Sequence, residues 1–199
     1  MLEFKNTTVS LQNGGMSTPF SLVVEGGDVV AVCGAHGTGK STALRAILGL
    51  EPISEGFITI DGELVTPGSS AYFRQMIAYI PQLLPHNDIT VREFAMRLFG
   101  LRTNAATKFD FNKLLADWQS WGIEGSLANR NMKDISDADL QPVLLSFLPL
   151  LKKKIILIDN LAPSEVARSV ISRLVASADT EVVYSCVENK IGCNKTINL

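Results

Sequence analysis

Gly34-Ala-His-Gly-Thr-Gly-Lys-Ser41 decides how this chain reads. The stretch fits G-x-x-x-x-G-K-S/T at every fixed position, and each fixed residue has its own physical reason. The glycines let the backbone wrap around an anion with its N–H groups turned inward. A helix that opens beside Lys40 directs the positive end of its dipole at the same anion. Lys40 brings an ammonium to the outer phosphates of a triphosphate. Ser41 brings a hydroxyl to Mg2+, an ion that takes few protein ligands and completes its shell with phosphate oxygens and water. Ala35, His36, Gly37, Thr38, Gly39 and Thr42 complete the candidate nucleotide-binding loop. His36 and Thr38 stand at variable positions, and His36 is assigned no catalytic part.

The flanks supply the context that such a loop needs. Before it, Asp28-Val-Val-Ala-Val-Cys33 is a nearly unbroken apolar run, as expected of a strand buried on both faces. After it, Ser41 to Leu50 carries Leu44, Ile47 and Leu48 at helical spacing and stops at Gly49 and Pro52. Further out, residues 2–10 read as an edge strand and Asn13-Gly14-Gly15 as a turn. Strands are also predicted at Phe20 to Val24, Gly56 to Gly62, Met76 to Ile80, Ile155 to Ile158 and Glu181 to Ser185. Helices are predicted at 91–101, 110–121 and 166–175, and another from Ser136, where Ser-x-x-Asp reads as a capping box. Strands alternating with helices predict an α/β fold with a parallel sheet. The helical block at about 91–150, lying between strands, reads as a lobe inserted into a single domain of residues 1–199.

Composition narrows the function classes. With 46% hydrophobic and 19% charged residues, the chain has enough apolar surface to fold and is not of disordered type. A net charge of -2 gives no basis for nucleic acid as the main partner. No apolar run reaches the roughly 18 residues that span a bilayer, and Met-Leu-Glu-Phe-Lys lacks the pattern of a secretory signal. The three cysteines (Cys33, Cys186, Cys193) are odd in number and unpatterned, which argues against a disulfide framework and for a reducing, cytoplasmic setting.

Taken in order, these segments resemble the nucleotide-binding subunit of an ABC transporter. Leu2 to Asn6 and Phe20 to Asp28 are similar to the family's antiparallel subdomain, and Ile53 to Gly62 to its hairpin after the first helix. Ile77-Ala-Tyr-Ile-Pro-Gln82 resembles the Q-loop, Leu84 to Glu93 the approach to the helical lobe, and Ile155-Ile-Leu-Ile-Asp159 the Walker B strand. The resemblance implies a P-loop NTPase core with an antiparallel β subdomain and an inserted α-helical lobe. It implies ATP and Mg2+ as ligands, with Ser41, Gln82 and Asp159 around the metal. It also implies a second nucleotide-binding domain as partner, in a homo- or heterodimer, and a transmembrane permease subunit that holds the chain at the inner face of a membrane. By the same resemblance, the apolar residues from Leu83 to Val91 are a docking surface, with core as the competing reading. Gln82 has a plain surface role as its competing reading, and Asp159 a helix-capping one.

Four positions depart from the family pattern. Asn160 stands where the family has a glutamate, and an amide cannot take a proton from the attacking water, a form of help worth about 10²–10⁴-fold. Cys186 aligns with the late histidine; a thiol carries no positive charge, and the alternative is a small buried residue. Ile135-Ser-Asp-Ala-Asp139 aligns with the Leu-Ser-Gly-Gly-Gln signature and keeps only the serine. There Asp137 and Asp139 would oppose a phosphate, by roughly 3 kcal/mol per pair of unit charges about 5 Å apart at an effective dielectric near 20. They also suit an ordinary capped helix. Leu161-Ala-Pro-Ser-Glu165 lacks the family's D-loop aspartate, and Leu11 rather than Phe20 is the nearest candidate for the missing adenine-stacking aromatic. The expectation is an ATP-binding subunit with a degenerate hydrolytic centre. A non-catalytic scaffold or regulator of a soluble complex stands as the alternative, and an ATPase completed by a partner chain as a third.

Overall fold

A computed structural model describes residues 1–104 and 107–199; positions 105 and 106 of the predicted lobe lie outside the described residues. The chain opens with β1 (Leu2–Thr8) and β2 (Phe20–Val24), which pair antiparallel. Next come β3 (Val29–Cys33), the loop of interest, and α1 (Lys40–Ile47). Then follow β4 (Glu55–Ile60), β5 (Glu63–Leu64), the single turn α2 (Ser70–Phe73) and β6 (Ile77–Ile80). Three longer helices come before the next strand: α3 (Val91–Gly100), α4 (Phe111–Trp121) and α5 (Asp137–Leu151). The chain finishes with β7 (Ile155–Ile158), α6 (Glu165–Val175), β8 (Glu181–Cys186) and β9 (Lys195–Asn198).

Among the described residues the strands form two sheets, an antiparallel one in the order β2-β1-β4-β5 and another in the order β6-β7-β8-β3-β9. Every pairing in the second sheet is parallel. All residues of β3, β7 and β8 are buried, and alternation along them sends successive side chains to opposite faces. Val29, Ala31, Ile156, Ile158 and Val182 join the core formed with α3 to α6, whereas Val30, Val32, Ile155, Leu157 and Val183 join the core under α1 and the antiparallel sheet. Two cores on one sheet are why these strands read as unbroken apolar runs.

The helix starts have local causes. Thr90 caps α3 in a complete capping box with Glu93. Ser136 caps α5 by accepting from the Asp139 N–H at 3.3 Å, as its sequence predicts, while its hydroxyl donates to Asp139 Oδ2 at 2.7 Å. α4 is tied to α5 through fully buried Trp118, whose Nε1 donates to Ser146 Oγ at 2.8 Å.

Two expectations are corrected here. The first strand stops at Thr8, not residue 10, after a register shift between Lys5 and Thr8 next to Asn6 at φ 46°. The sequence reading also missed β9, which pairs with β3 along the sheet edge. Of its four residues only Ile197 is buried, so it carries no alternation to detect; its pairing is supported by Lys195 Nζ donating to Asp28 Oδ2 at 2.6 Å.

Candidate functional site

Gly34–Gly39 connects the end of β3 to α1, whose first residues are Lys40 and Ser41, at the C-terminal edge of the parallel sheet, where open α/β sheets hold their ligands. Gly39 lies at φ 88° and serves as the N-terminal cap of α1, with no side chain bonded to the first-turn amides. With no side-chain cap there, the first turn of α1 keeps amides to offer an outside acceptor, the arrangement that binds anions. A Cβ on Gly39 would sit 2.8 Å from Val9 Cγ2, so only glycine lets the loop pack this close to the end of β1. Thr38 Oγ1 donates to the Ala35 carbonyl at 3.0 Å and steadies the loop. Lys40 Nζ donates to the carbonyls of Gly34 at 2.7 Å and Ala35 at 2.6 Å. Its ammonium thus lies over the loop and faces neutral oxygens, a partnership that a phosphate would exchange for a stronger, charge-assisted one.

Asp159 follows the last residue of β7 and is 3% exposed. Its Oδ1 accepts from Ser41 Oγ at 3.0 Å and from Ser185 Oγ at 2.6 Å, and its Oδ2 from the Tyr79 hydroxyl at 3.4 Å. Burial and then the charge of Asp159 push the Tyr79 phenol up to about 12, so it stays a donor. Three hydroxyls around one carboxylate make an oxygen-only donor set, which suits a hard cation such as Mg2+. Among the described residues no group of three His, Cys, Asp or Glu could close around a metal. The protein oxygens leave room for phosphate and water in the shell, and on that ground they fit Mg2+ carried with a nucleotide.

A cleft of about 490 Å3 joins these groups; Gln82, Lys40, Ser41, Thr42, Asp159 and Asn160 line it. His36, Gly37 and Gly39 line it too, so most of the loop predicted from sequence converges with Gln82 and Asp159. Leu11 also lines the cleft, whereas Phe20 packs on Phe4 with ring centroids 5.3 Å apart, so of the two only Leu11 borders the cleft.

The four departing positions fall out differently. Asn160 adopts the left-handed φ of 61°, with its N–H given to Ser185 Oγ at 2.7 Å and its carbonyl accepting from Gln141 Nε2 at 3.1 Å. Cys186 is buried with its Sγ 3.2 Å from Cys33 Sγ, while its neighbours Ser185 and Val187 line the cleft. Asp137 and Asp139 are not among the residues lining the cleft. Asp137 Oδ1 lies 2.7 Å from His86 Nε2, and the His86 Nδ1 faces the Met132 carbonyl at 3.1 Å. The bond to Asp137, seconded by that carbonyl, raises the His86 pKa above its ordinary value. In the D-loop segment, Gln141 Oε1 accepts from Ala162 N–H at 2.9 Å, so α5 is clamped to the stretch after Asp159 from both ends of one amide.

Sequence reasoning did not find Ser185, Gln141 or Tyr79. Ser185 and Gln141 stand in apolar stretches, where a polar residue gives no sign of what it faces. Only the sheet order, which sets β7 between β6 and β8, brings Tyr79 and Ser185 to Asp159.

The sequence matches the ABC transporter family over residues 18–162. It is 32% identical over 164 residues to the ergothioneine transport ATP-binding protein of Helicobacter pylori, covering 80% of this chain and 74% of that one. It is 32% identical over 163 residues to the sn-glycerol-3-phosphate import ATP-binding protein of Psychromonas ingrahamii, covering 80% of this chain but 42% of that one. In three dimensions the fold matches an ABC transporter ATP-binding protein from Pyrococcus furiosus with a TM-score of 0.81 at 20% identity, over 100% of this chain and 96% of that one. It also matches a dimeric ATP-binding cassette solved with ADP and Pi, with a TM-score of 0.73 at 20% identity, over 95% of this chain and 88% of that one. The glycine-rich loop, the buried aspartate opposite it and the extent of these matches agree: the chain belongs to the ABC transporter family and has the fold of its ATP-binding cassettes.

Proposed function

We propose that this chain is the ATP-binding subunit of an ABC-type membrane transport complex, and that it holds Mg-ATP firmly while hydrolysing it slowly. The observation that carries the reading is the 3.0 Å bond from Ser41 to Asp159 beneath the free amides of the loop. In this reading the amides of Gly34 to Thr42 and the Lys40 ammonium bind the phosphates. Ser41, Asp159 and Gln82 supply oxygens to Mg2+, which when bound neutralises phosphate charge. Asn160 borders the cleft where a proton acceptor is needed, and its amide cannot serve as a general base. Cys186, sealed against Cys33, gives no cation to the outer phosphate.

Residues 1–199 then act as one nucleotide-binding domain, with the helices between 91 and 150 as its lobe. A second nucleotide-binding domain would close over the cleft. A permease segment would dock in the apolar groove of about 280 Å3 between β6 and the helices, lined by Ile77, Tyr79, Phe94, Leu98, Phe147 and Leu148. Leu83 follows Gln82 and is 87% exposed, whereas Leu84 and Val91 belong to the core. Among the described residues no helix is long and apolar enough to cross a membrane, which agrees with attachment to the inner face through the permease. Relatives with import in their names favour uptake as the direction.

Calorimetric titration of the purified chain with Mg-ATP, paired with phosphate-release kinetics, tests the reading. Saturable binding that chelation of Mg2+ weakens, with turnover well under the usual enzyme range of about 1–10³ s⁻¹, is expected. Turnover inside that range would overturn the claim of a slow centre. Absence of binding would overturn the nucleotide reading.

A further inference from the structure

Cys33 and Cys186 end neighbouring strands of the parallel sheet and are in register with each other. Partners in register present side chains to the same face, and here the two Sγ atoms lie 3.2 Å apart in a buried position. Adjacent strands lie about 4.8 Å apart, inside the window of about 4.4–6.8 Å that a disulfide spans between Cα atoms. Closing a bond would require the sulfurs to approach by about 1 Å.

The place of the pair gives that movement a consequence. Cys33 immediately precedes Gly34, whose carbonyl is bound by Lys40 at 2.7 Å. Cys186 immediately follows Ser185, whose hydroxyl holds Asp159 at 2.6 Å and the Asn160 N–H at 2.7 Å. A bond between the two cysteines would tie the root of the glycine-rich loop to the end of β8, next to the serine that holds the Asp159 carboxylate.

We propose that Cys33 and Cys186 are a reversible oxidation site, closed to a disulfide by hydroperoxides, and that the closed form binds nucleotide more weakly. One sulfur, as thiolate, attacks a peroxide oxygen; the O–O bond breaks and hydroxide leaves, giving a sulfenic acid. The second thiol then displaces the sulfenic oxygen as water and forms the S–S bond. With hydrogen peroxide, two thiol protons and two electrons pass to the oxidant and two waters are released. A small dithiol reverses the change by exchange. Burial, and then the neighbouring Cys33 thiol, push Cys186 up to about 12. Thiolate is therefore scarce at neutral pH, and closure should quicken as pH rises. Half-buried Cys193 is the competing partner in the chain.

The weaker-binding clause rests on the ATP-binding reading; formation of the bond does not, and the experiment separates them. Reduced full-length protein is treated with hydrogen peroxide at neutral and at alkaline pH, and non-reducing peptide mapping locates the cross-link. The expected product joins Cys33 to Cys186, forms faster at alkaline pH, is opened by dithiothreitol and persists in Cys193→Ala. Its Mg-ATP affinity should fall by at least about tenfold, equivalent to about 1.4 kcal/mol. Cys33→Ala should bind like the reduced native chain and not respond to peroxide, and a melting curve would confirm that it folds. Cys186→Ser gives a second variant without the bond. No cross-link, a cross-link to Cys193 alone, or unchanged affinity after complete cross-linking would each overturn the proposal. Failure of the reduced chain to bind ATP would instead overturn the functional reading, with bond formation still read from the map.

Discussion

Replacing Asn160 with glutamate should raise ATP turnover and make the fold slightly less stable. The new carboxylate borders the cleft at the position of the missing proton acceptor. General-base help is worth about 10²–10⁴-fold, or about 2.7–5.4 kcal/mol of barrier. The backbone there is set at φ 61° and pinned from both sides, by Ser185 Oγ at 2.7 Å and Gln141 Nε2 at 3.1 Å. Asparagine tolerates this left-handed geometry, while glutamate costs about 1 kcal/mol more. Relaxing to an extended conformation would break both bonds, so the strain stays. For a chain of this size about 1 kcal/mol lowers Tm by roughly 2–4 °C. Because the Cys186 thiol still gives no positive charge, the gain in turnover should fall in the lower half of the range, about 10²–10³-fold. Single-turnover phosphate release from Mg-ATP, with affinity measured by calorimetry, would read the first effect and a thermal melt the second. Equal turnover in the native chain and the variant would refute the assignment of Asn160 as the missing base. A Tm that rises would refute the strain argument.

Three further outcomes can be checked. Lys40→Ala removes an ammonium able to make charge-assisted bonds worth about 1.5–3 kcal/mol each, so Mg-ATP affinity should drop by roughly 10²–10³-fold; titration calorimetry giving an unchanged constant would contradict the site. His86 faces acceptors with both ring nitrogens, Asp137 Oδ1 and the Met132 carbonyl, and can donate to both only as imidazolium. Its folded pKa is raised, chiefly by Asp137, so its contribution to stability is complete below the unfolded value near 6.5 and is lost as pH climbs through the folded one. Proton NMR should place the His86 midpoint above the ordinary value and show Asp137→Asn moving it back; the same midpoint in both proteins would dismiss the pairing. Trp118→Ala opens a cavity in the helical core and leaves Ser146 Oγ without its 2.8 Å donor, and should cost about 3–5 kcal/mol in urea unfolding. A loss under about 1 kcal/mol would show that α4 and α5 do not depend on that contact.

What could be read from the sequence was local. Glycines at fixed spacing, an unbroken apolar run before them and helical spacing after them specify a strand, a glycine-rich loop and a helix in succession, because each depends on neighbours within one turn or strand. Ser136 at the start of α5 and the stop of β6 at Pro81 were legible for the same reason. The tertiary structure decided what depends on which strands lie side by side. In the order β6-β7-β8-β3-β9, segments far apart along the chain end on one edge. That order sets Asp159 against Ser41 and Ser185, brings Cys33 and Cys186 within 3.2 Å, and recruits β9 to the edge of β3. It likewise fixes the turned backbone of Asn160 between Ser185 and Gln141. Periodicity records which face of a strand is buried but not which strand will face it, since long-range pairing is settled by the packing of the whole chain.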